Sequence, residues 1–189
     1  SNVKQLFSNE DAYKGRLTIL YHVLEKGLTM PETRMGFGGP VVQDLMALLL
    51  RYKALGYAID ALEFEHSCKV LAEYFQFHEQ RGFVLPASLL DAYALFREEV
   101  LLGEATQQLH FHRDSYFQHK DAAFSDFFQS RYSCRNYSEE PIPEAVIRSC
   151  IKIAMKSPTS CNRQLNRIYV ISDPDTKAAL LNLQYGNRG

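Results

Sequence analysis

Two arginines and a serine lie within five residues, in the tract 131–135 with the sequence Arg-Tyr-Ser-Cys-Arg. Arg131 and Arg135 carry permanently charged, forked N–H donors, and Ser133 adds a short neutral donor. Side chains of these types suit a phosphate group. A simpler interpretation also exists, in which the arginines lie at a helix end and form solvent-exposed ion pairs of small value with the glutamates at 139–140.

A polar loop follows one predicted helix later, at 157–164, with the sequence Ser-Pro-Thr-Ser-Cys-Asn-Arg-Gln. Pro143 suits the first position of a helix, and apolar residues recur at helical spacing from 144 to 156, so this segment is predicted to be helical. The loop supplies hydroxyl and amide groups. An arginine cluster, a helix and a polar loop in this order predict one long ligand that is contacted at both ends.

The cluster and the loop together resemble the N-terminal part of the FMN-dependent nitroreductase family, whose pattern is Arg-x-Ser-x-Arg/Lys followed, one helix later, by Pro-Ser-x-x-Asn-x-Gln. The resemblance covers about the last third of the chain. It implies that the arginines and Ser133 hold the phosphate and ribityl end of FMN, and that the loop amides lie near the ribityl chain and the isoalloxazine ring. The implied cofactor-binding residues are Arg131, Ser133, Arg135, Ser160, Asn162 and Gln164.

The resemblance also implies an activity. FMN would be held noncovalently, reduced by NAD(P)H and reoxidised by a small-molecule acceptor, at the interface of a homodimer. The flavin carries the hydride in such chemistry, so no catalytic side chain has to be assigned. The chain departs from the family pattern at Leu165 and Asn166, where a proline and an aromatic residue commonly follow the glutamine.

The N-terminal part is expected to be helical. Amphipathic stripes with glycine and proline stops predict four helices between Asp11 and Val100, which would form an α-helical domain with a linker over 1–120. The flavin-binding segment would occupy 121–189, with a short helix from Phe124 and one strand at 168–171. The predicted fold class is therefore α+β, although mostly helical. Since the family builds its sheet from later residues, the segment is expected to be incomplete at its C-terminus.

A second resemblance concerns the helical part. The tracts 22–28 and 36–38 are similar to the helical N-terminal extension of a nitroreductase subgroup associated with polysaccharide biosynthesis. A different class of function also stays open, namely a non-catalytic interaction protein in which the helical domain acts and the flavin-binding segment is degenerate.

The amino-acid composition narrows the classes of function that the chain could have. The chain is 46% hydrophobic and 23% charged with a net charge of -1, which is typical of a globular protein and not of a nucleic-acid binder. No apolar run approaches the ~18 residues of a membrane span. Four irregularly spaced cysteines predict neither disulfides nor zinc, and favour a reduced, cytoplasmic setting. The histidines at 110, 112 and 119 are interpreted as part of a surface linker and His22/Glu25 as a surface or core-edge pair, so no metal is predicted.

Overall fold

The computed structural model describes residues 9–101, 103–107 and 109–183. Its contacts divide the chain into two units, Ser1–Tyr137 and Ser138–Gly189. The helices of the first unit are α1 (Glu10–Leu28), α2 (Gly39–Ala54), α3 (Leu62–Gln80), α4 (Ala87–Glu99), α5 (Arg113–Tyr116) and α6 (Phe124–Gln129). Those of the second unit are α7 (Glu144–Ala154) and α8 (Pro174–Leu183), with a 3₁₀ turn at Ser160–Asn162 between them. The predicted domain boundary after residue 120 stays a prediction.

Helix α1 is defined by its cap and by its apolar stripe. The side chain of Asn9 accepts a hydrogen bond of 2.9 Å from the backbone N–H of Ala12, which satisfies one of the free donors of the first turn. Residues at intervals of three and four are buried along one face. They are Tyr13, Leu17, Leu20, Leu24 and Leu28. The helix predicted from this stripe is confirmed.

The core of the first unit lies among the first four helices. Helix α1 packs against α2 and α3, and α2 packs against α3 and α4. The largest fully buried apolar side chains are Leu17, Leu24, Val42, Leu45, Leu49, Tyr52, Val70, Leu71, Tyr74 and Phe96. All four helices predicted between Asp11 and Val100 are present, because their apolar stripes are long enough to be buried against one another.

The glycine-rich connection between α1 and α2 is fastened to α3. Gly36 and Gly38 have φ values of 71° and 67°, a left-handed conformation that favours glycine. The Tyr74 hydroxyl donates to the Phe37 carbonyl at 2.6 Å, and the Gly36 N–H donates to Nε2 of His78 at 3.0 Å. Nδ1 of His78 lies 2.7 Å from the Tyr74 carbonyl, so this nitrogen carries the proton and the ring is neutral. Burial lowers the pKa of His78 below its usual value.

The second unit is helical, and its described residues are exposed or half-buried. None of the described residues from 138 to 183 is buried. The helix predicted after Pro143 is confirmed as α7, whose first-turn Glu144 forms an exposed ion pair of 2.5 Å with Arg148.

The strand predicted at 168–171 does not form. These four residues have no strand pairing in the structure, and their side chains are between 40% and 76% exposed. A strand needs a neighbour to bond its N–H and C=O groups, and no described residue supplies one. The described part of the chain is thus helix and connecting segments, which confirms the mostly helical expectation, while the β part of the α+β class stays a prediction.

The cysteines fall into two groups. Cys68 on α3 is buried, and burial raises the pKa of its thiol to about 12. Cys134, Cys150 and Cys161 are exposed, and all four are free thiols. None of the helices over the residues described is both long and apolar enough to cross a membrane.

Candidate functional site

The arginine cluster directly follows α6. That helix ends where the Ser130 hydroxyl donates to the Phe127 carbonyl at 2.7 Å. The chain from 131 to 137 then has no regular secondary structure, so Arg131 and Arg135 are not a pair on one helix face. Arg131 and Ser133 are exposed, whereas Arg135 is half-buried. The pair on one helix face that one interpretation of the sequence assumed is therefore absent.

The two arginines differ in what they contact. Arg131 donates no side-chain hydrogen bond and forms no ion pair with any residue that the structure describes. Arg135 donates from Nη1 to the hydroxyl of Thr29 at 3.3 Å, although 106 positions separate the two residues. The Tyr137 hydroxyl donates to the Cys134 carbonyl at 2.6 Å, which closes a turn at the end of the cluster. One guanidinium is held, and the other is available to a ligand.

A cleft of about 350 Å³ borders the cluster on the side of Tyr132. The rings of Phe111 and Tyr132 have centroids 5.0 Å apart, and the Tyr116 hydroxyl donates to the Tyr132 carbonyl at 3.2 Å. His119 and Gln129 line the same cleft. The volume is at the lower end of the range for small-molecule sites.

The polar loop at 157–164, called the amide loop from here on, is held by hydrogen bonds among its own residues. Nε2 of Gln164 donates to Oδ1 of Asn162 at 3.0 Å and approaches the Ser157 carbonyl at 3.5 Å. The backbone N–H of Gln164 donates to the Thr159 hydroxyl at 3.1 Å. The structure thus brings the two predicted amides together, and Ser160 belongs to the 3₁₀ turn between Thr159 and Arg163.

The same loop is conformationally strained. Cys161, Asn162 and Gln164 have φ values of 54°, 50° and 46°, in the left-handed region that side chains other than that of glycine usually avoid. Asparagine tolerates this region, but cysteine and glutamine gain nothing from it. Such residues cost on the order of 1–3 kcal/mol each and concentrate at ligand-binding segments. Among the described residues, the three non-glycine residues with positive φ all lie in the amide loop.

The six predicted cofactor-binding residues therefore form two groups of three. The first group, on one segment of the first unit, is Arg131, Ser133 and Arg135. The second group, on one loop of the second unit, is Ser160, Asn162 and Gln164. Each group is coherent within its own unit, and the single site that would combine them stays a prediction.

Two threonines were not predicted from the sequence. Thr29 contacts Arg135, and Thr159 holds the backbone of Gln164. The position of Thr159 inside the polar loop was a usable signal, since threonine hydroxyls commonly bond backbone groups a few residues away. No local signal connects Thr29 with Arg135. In the part of the chain that the structure describes, no three His, Cys, Asp or Glu side chains are grouped to hold a metal ion.

Comparison with known proteins gives one family match, which includes the candidate site, and two partial matches to relatives. Residues 128–187 match the model of the nitroreductase family. A protein of Thermus thermophilus described as an NADH dehydrogenase is 39% identical over 56 residues, which cover 30% of this chain and 27% of that protein. A putative NADH dehydrogenase/NAD(P)H nitroreductase of Caulobacter sp. is 32% identical over 68 residues, or 36% of this chain and 35% of that protein. No solved structure matches.

These matches are partial. The chain spans only about a quarter to a third of the length of these relatives. The family match nevertheless begins just before Arg131 and includes all six predicted cofactor-binding residues. Residues 128–187 of the chain are therefore nitroreductase-like.

Proposed function

We propose that the protein is an FMN-dependent oxidoreductase of the nitroreductase type, which passes hydride from NAD(P)H through the flavin to a small-molecule acceptor. The observation that carries this proposal is the match of residues 128–187 to the nitroreductase family, because it contains both the arginine cluster and the amide loop. The names of the two relatives support a general oxidoreductase role.

The arginine cluster would bind the FMN phosphate. Arg131 is exposed and engages no described residue through its side chain, so its forked donors can meet phosphate oxygens without breaking an existing bond. Arg135 uses one N–H on Thr29, and a guanidinium has five such donors. Ser133 adds an exposed hydroxyl between them. Two cations match the charge of a phosphate monoester at neutral pH.

The amide loop would meet the ribityl chain and the ring. Oδ1 of Asn162 accepts from Gln164, which leaves the Asn162 amide N–H groups and Oε1 of Gln164 for a ligand. One donor group and one acceptor group are then available on these two neighbouring side chains, with the Ser160 hydroxyl nearby in the sequence. The left-handed backbone supports a binding role, because a strained conformation is retained where it presents functional groups.

The flavin supplies the hydride chemistry when bound, so the residues of this chain bind and orient and do not act as an acid or base. We further propose a homodimer with the ring at the subunit interface and a reducing cytoplasmic setting, which fits four free cysteines. A role in polysaccharide biosynthesis rests on the tracts 22–28 and 36–38 and is part of the same proposal.

Flavin titration tests the proposal. The protein should take up FMN and show flavin absorbance, and the double variant Arg131→Ala/Arg135→Ala should bind FMN at least about 100-fold more weakly, since each lost charged hydrogen bond contributes about 1.5–3 kcal/mol. The matched control is Arg148→Ala/Lys152→Ala, which removes the same charge from α7, where Arg148 is already paired with Glu144. The control should bind FMN like the wild type.

Two outcomes would refute the proposed enzymatic function. One is a folded protein that cannot be loaded with FMN; the other is a cluster double variant that binds FMN as well as its control. The first outcome would favour a non-catalytic interaction protein. This alternative is supported by the helical core, whose buried residues end at Val100 and include no residue of the arginine cluster.

A further inference from the structure

We propose that Thr29, at the end of α1, is a positioning residue that holds the guanidinium of Arg135 for the flavin phosphate. The inference rests on the proposed function and extends it to the helical part of the chain. It assigns the end of α1 a role in cofactor binding.

The geometry of the Thr29 hydroxyl makes it an acceptor for Arg135. Its Oγ1 lies 3.0 Å from the carbonyl oxygens of both Glu25 and Lys26, so its proton is directed to the last turn of α1. Its lone pairs remain for a donor from outside the helix. Nη1 of Arg135 occupies that position at 3.3 Å. The direction of both bonds is thereby fixed, because a guanidinium can only donate.

The helix end itself favours a cation at this place. Helix α1 has 19 residues, and its last carbonyl groups form the negative end of the helix dipole. The Thr29 N–H already bonds to the Glu25 carbonyl at 3.0 Å, so the backbone that carries the hydroxyl is ordered. The positive charge of Arg135 beside this end is attracted to the dipole as well as bonded to the hydroxyl.

The contact restrains Arg135 without consuming its binding capacity. One of five N–H donors is used, and the remaining four can bind phosphate oxygens. A free arginine loses rotamer entropy when a ligand orders it, and part of this loss has already occurred in Arg135. Arg131 is exposed and has no comparable contact with the described residues. The two arginines therefore divide the task, with Arg135 held in place and Arg131 closing on the ligand.

The contact is tested first without flavin. Thr29→Val removes the hydroxyl at constant shape, and a double-mutant cycle with Arg135→Ala in urea unfolding measures how the two side chains interact. We expect a coupling that changes the unfolding equilibrium constant about two- to tenfold, as for a single partly exposed hydrogen bond. Effects that simply add would overturn the inference.

The positioning role is tested by flavin titration. Thr29→Val should weaken FMN binding about three- to tenfold, and Thr29→Ser, which retains the hydroxyl, should restore it. Thr33→Val is the matched control, because the Thr33 hydroxyl also donates to carbonyl groups near the end of α1, those of Gly27 and Met30. This control should bind FMN like the wild type. In the Arg135→Ala background, Thr29→Val should have no further effect on FMN binding, which a general loss of stability would not produce.

The outcomes separate the two proposals. A wild-type protein that takes up no FMN refutes the proposed function and, with it, the flavin role of Thr29. A wild type that binds FMN while Thr29→Val binds it equally well refutes only the positioning role. The same conclusion follows if Thr33→Val weakens binding as much as Thr29→Val does.

Discussion

Replacement of His78 by phenylalanine is expected to release the connection between α1 and α2. The imidazole is only 1% exposed, and its Nε2 is the acceptor for the Gly36 N–H. Phenylalanine keeps a ring among the aromatic neighbours but offers no acceptor, so the Gly36 N–H loses its partner. Because Gly36 is half-buried, its unpartnered N–H should cost about 1 kcal/mol, the lower end of the range for a buried donor. The free energy of unfolding above pH 7 should fall by this amount.

The His78→Phe variant should also remove the part of the pH dependence of the free energy of unfolding that comes from His78. Because burial lowers the pKa of His78 in the folded state below its usual 6.5, the unfolded chain binds the proton more strongly. The stability contributed by neutral His78 is therefore fully present above about pH 6.5 and is lost as the pH falls through the folded pKa. Protonation would place an Nε2–H against the Gly36 N–H, and the positive charge of nearby Arg81 opposes it as well.

Urea unfolding followed by far-ultraviolet circular dichroism, at steps between about pH 8 and pH 5, measures both effects. The difference between the two proteins isolates the contribution of His78, because the rest of the sequence is unchanged. His110→Phe is the control, because this histidine is exposed and its replacement should leave the free energy of unfolding unchanged. Parallel pH profiles for the wild type and His78→Phe would refute the argument.

Two further changes probe packing and loop geometry. Gly27→Ala should destabilise the first unit by about 1–3 kcal/mol, because a Cβ there would lie 2.0–2.7 Å from ring atoms of Phe37. Gly15→Ala in the same helix meets nothing within 4 Å and should instead stabilise it by up to about 1 kcal/mol, so equal effects in thermal unfolding would contradict this packing. Thr159→Val should speed hydrogen exchange of the Gln164 amide about tenfold, whereas Thr159→Ser should not; an unchanged NMR exchange rate in the valine variant would show that the 3.1 Å bond contributes nothing.

The helices of the first unit were predictable because their signal is local. Leu17, Leu20 and Leu24 recur at the helical period, and the structure buries all three on one side of α1. His78 lies seven residues after Leu71 and four after Tyr74, so the stripe of α3 places it inside. Its role as an acceptor for Gly36 was not predictable, because that bond joins residues 42 positions apart.

The strand at 168–171 shows the opposite case. Its β-branched residues are a local preference, but a strand exists only with a hydrogen-bonded neighbour, and the described residues offer none. Propensity alone therefore gave a wrong prediction for this segment.

The chemical types of the candidate site were predictable, and its geometry was not. Arginine and serine at 131–135 indicate an anion site by composition alone. The contact of Arg135 with Thr29 is a tertiary contact without a local signal. The left-handed backbone at Cys161 and Gln164 contradicts the ordinary preference of these residue types, and no propensity argument would have selected it.

The burial of Cys68 gives the protein an internal reporter. Its thiol is 3% exposed and, with a pKa of about 12, is almost never a thiolate at neutral pH, so an alkylating reagent reaches it only when the helices around it separate. The three exposed cysteines should be alkylated much faster than Cys68, so a protein with three labels is the starting point of the measurement. The fourth modification, at Cys68, is slow, and mass spectrometry follows it as the fraction of molecules that carry four labels. Its rate gives the opening rate or the opening equilibrium of the helical core.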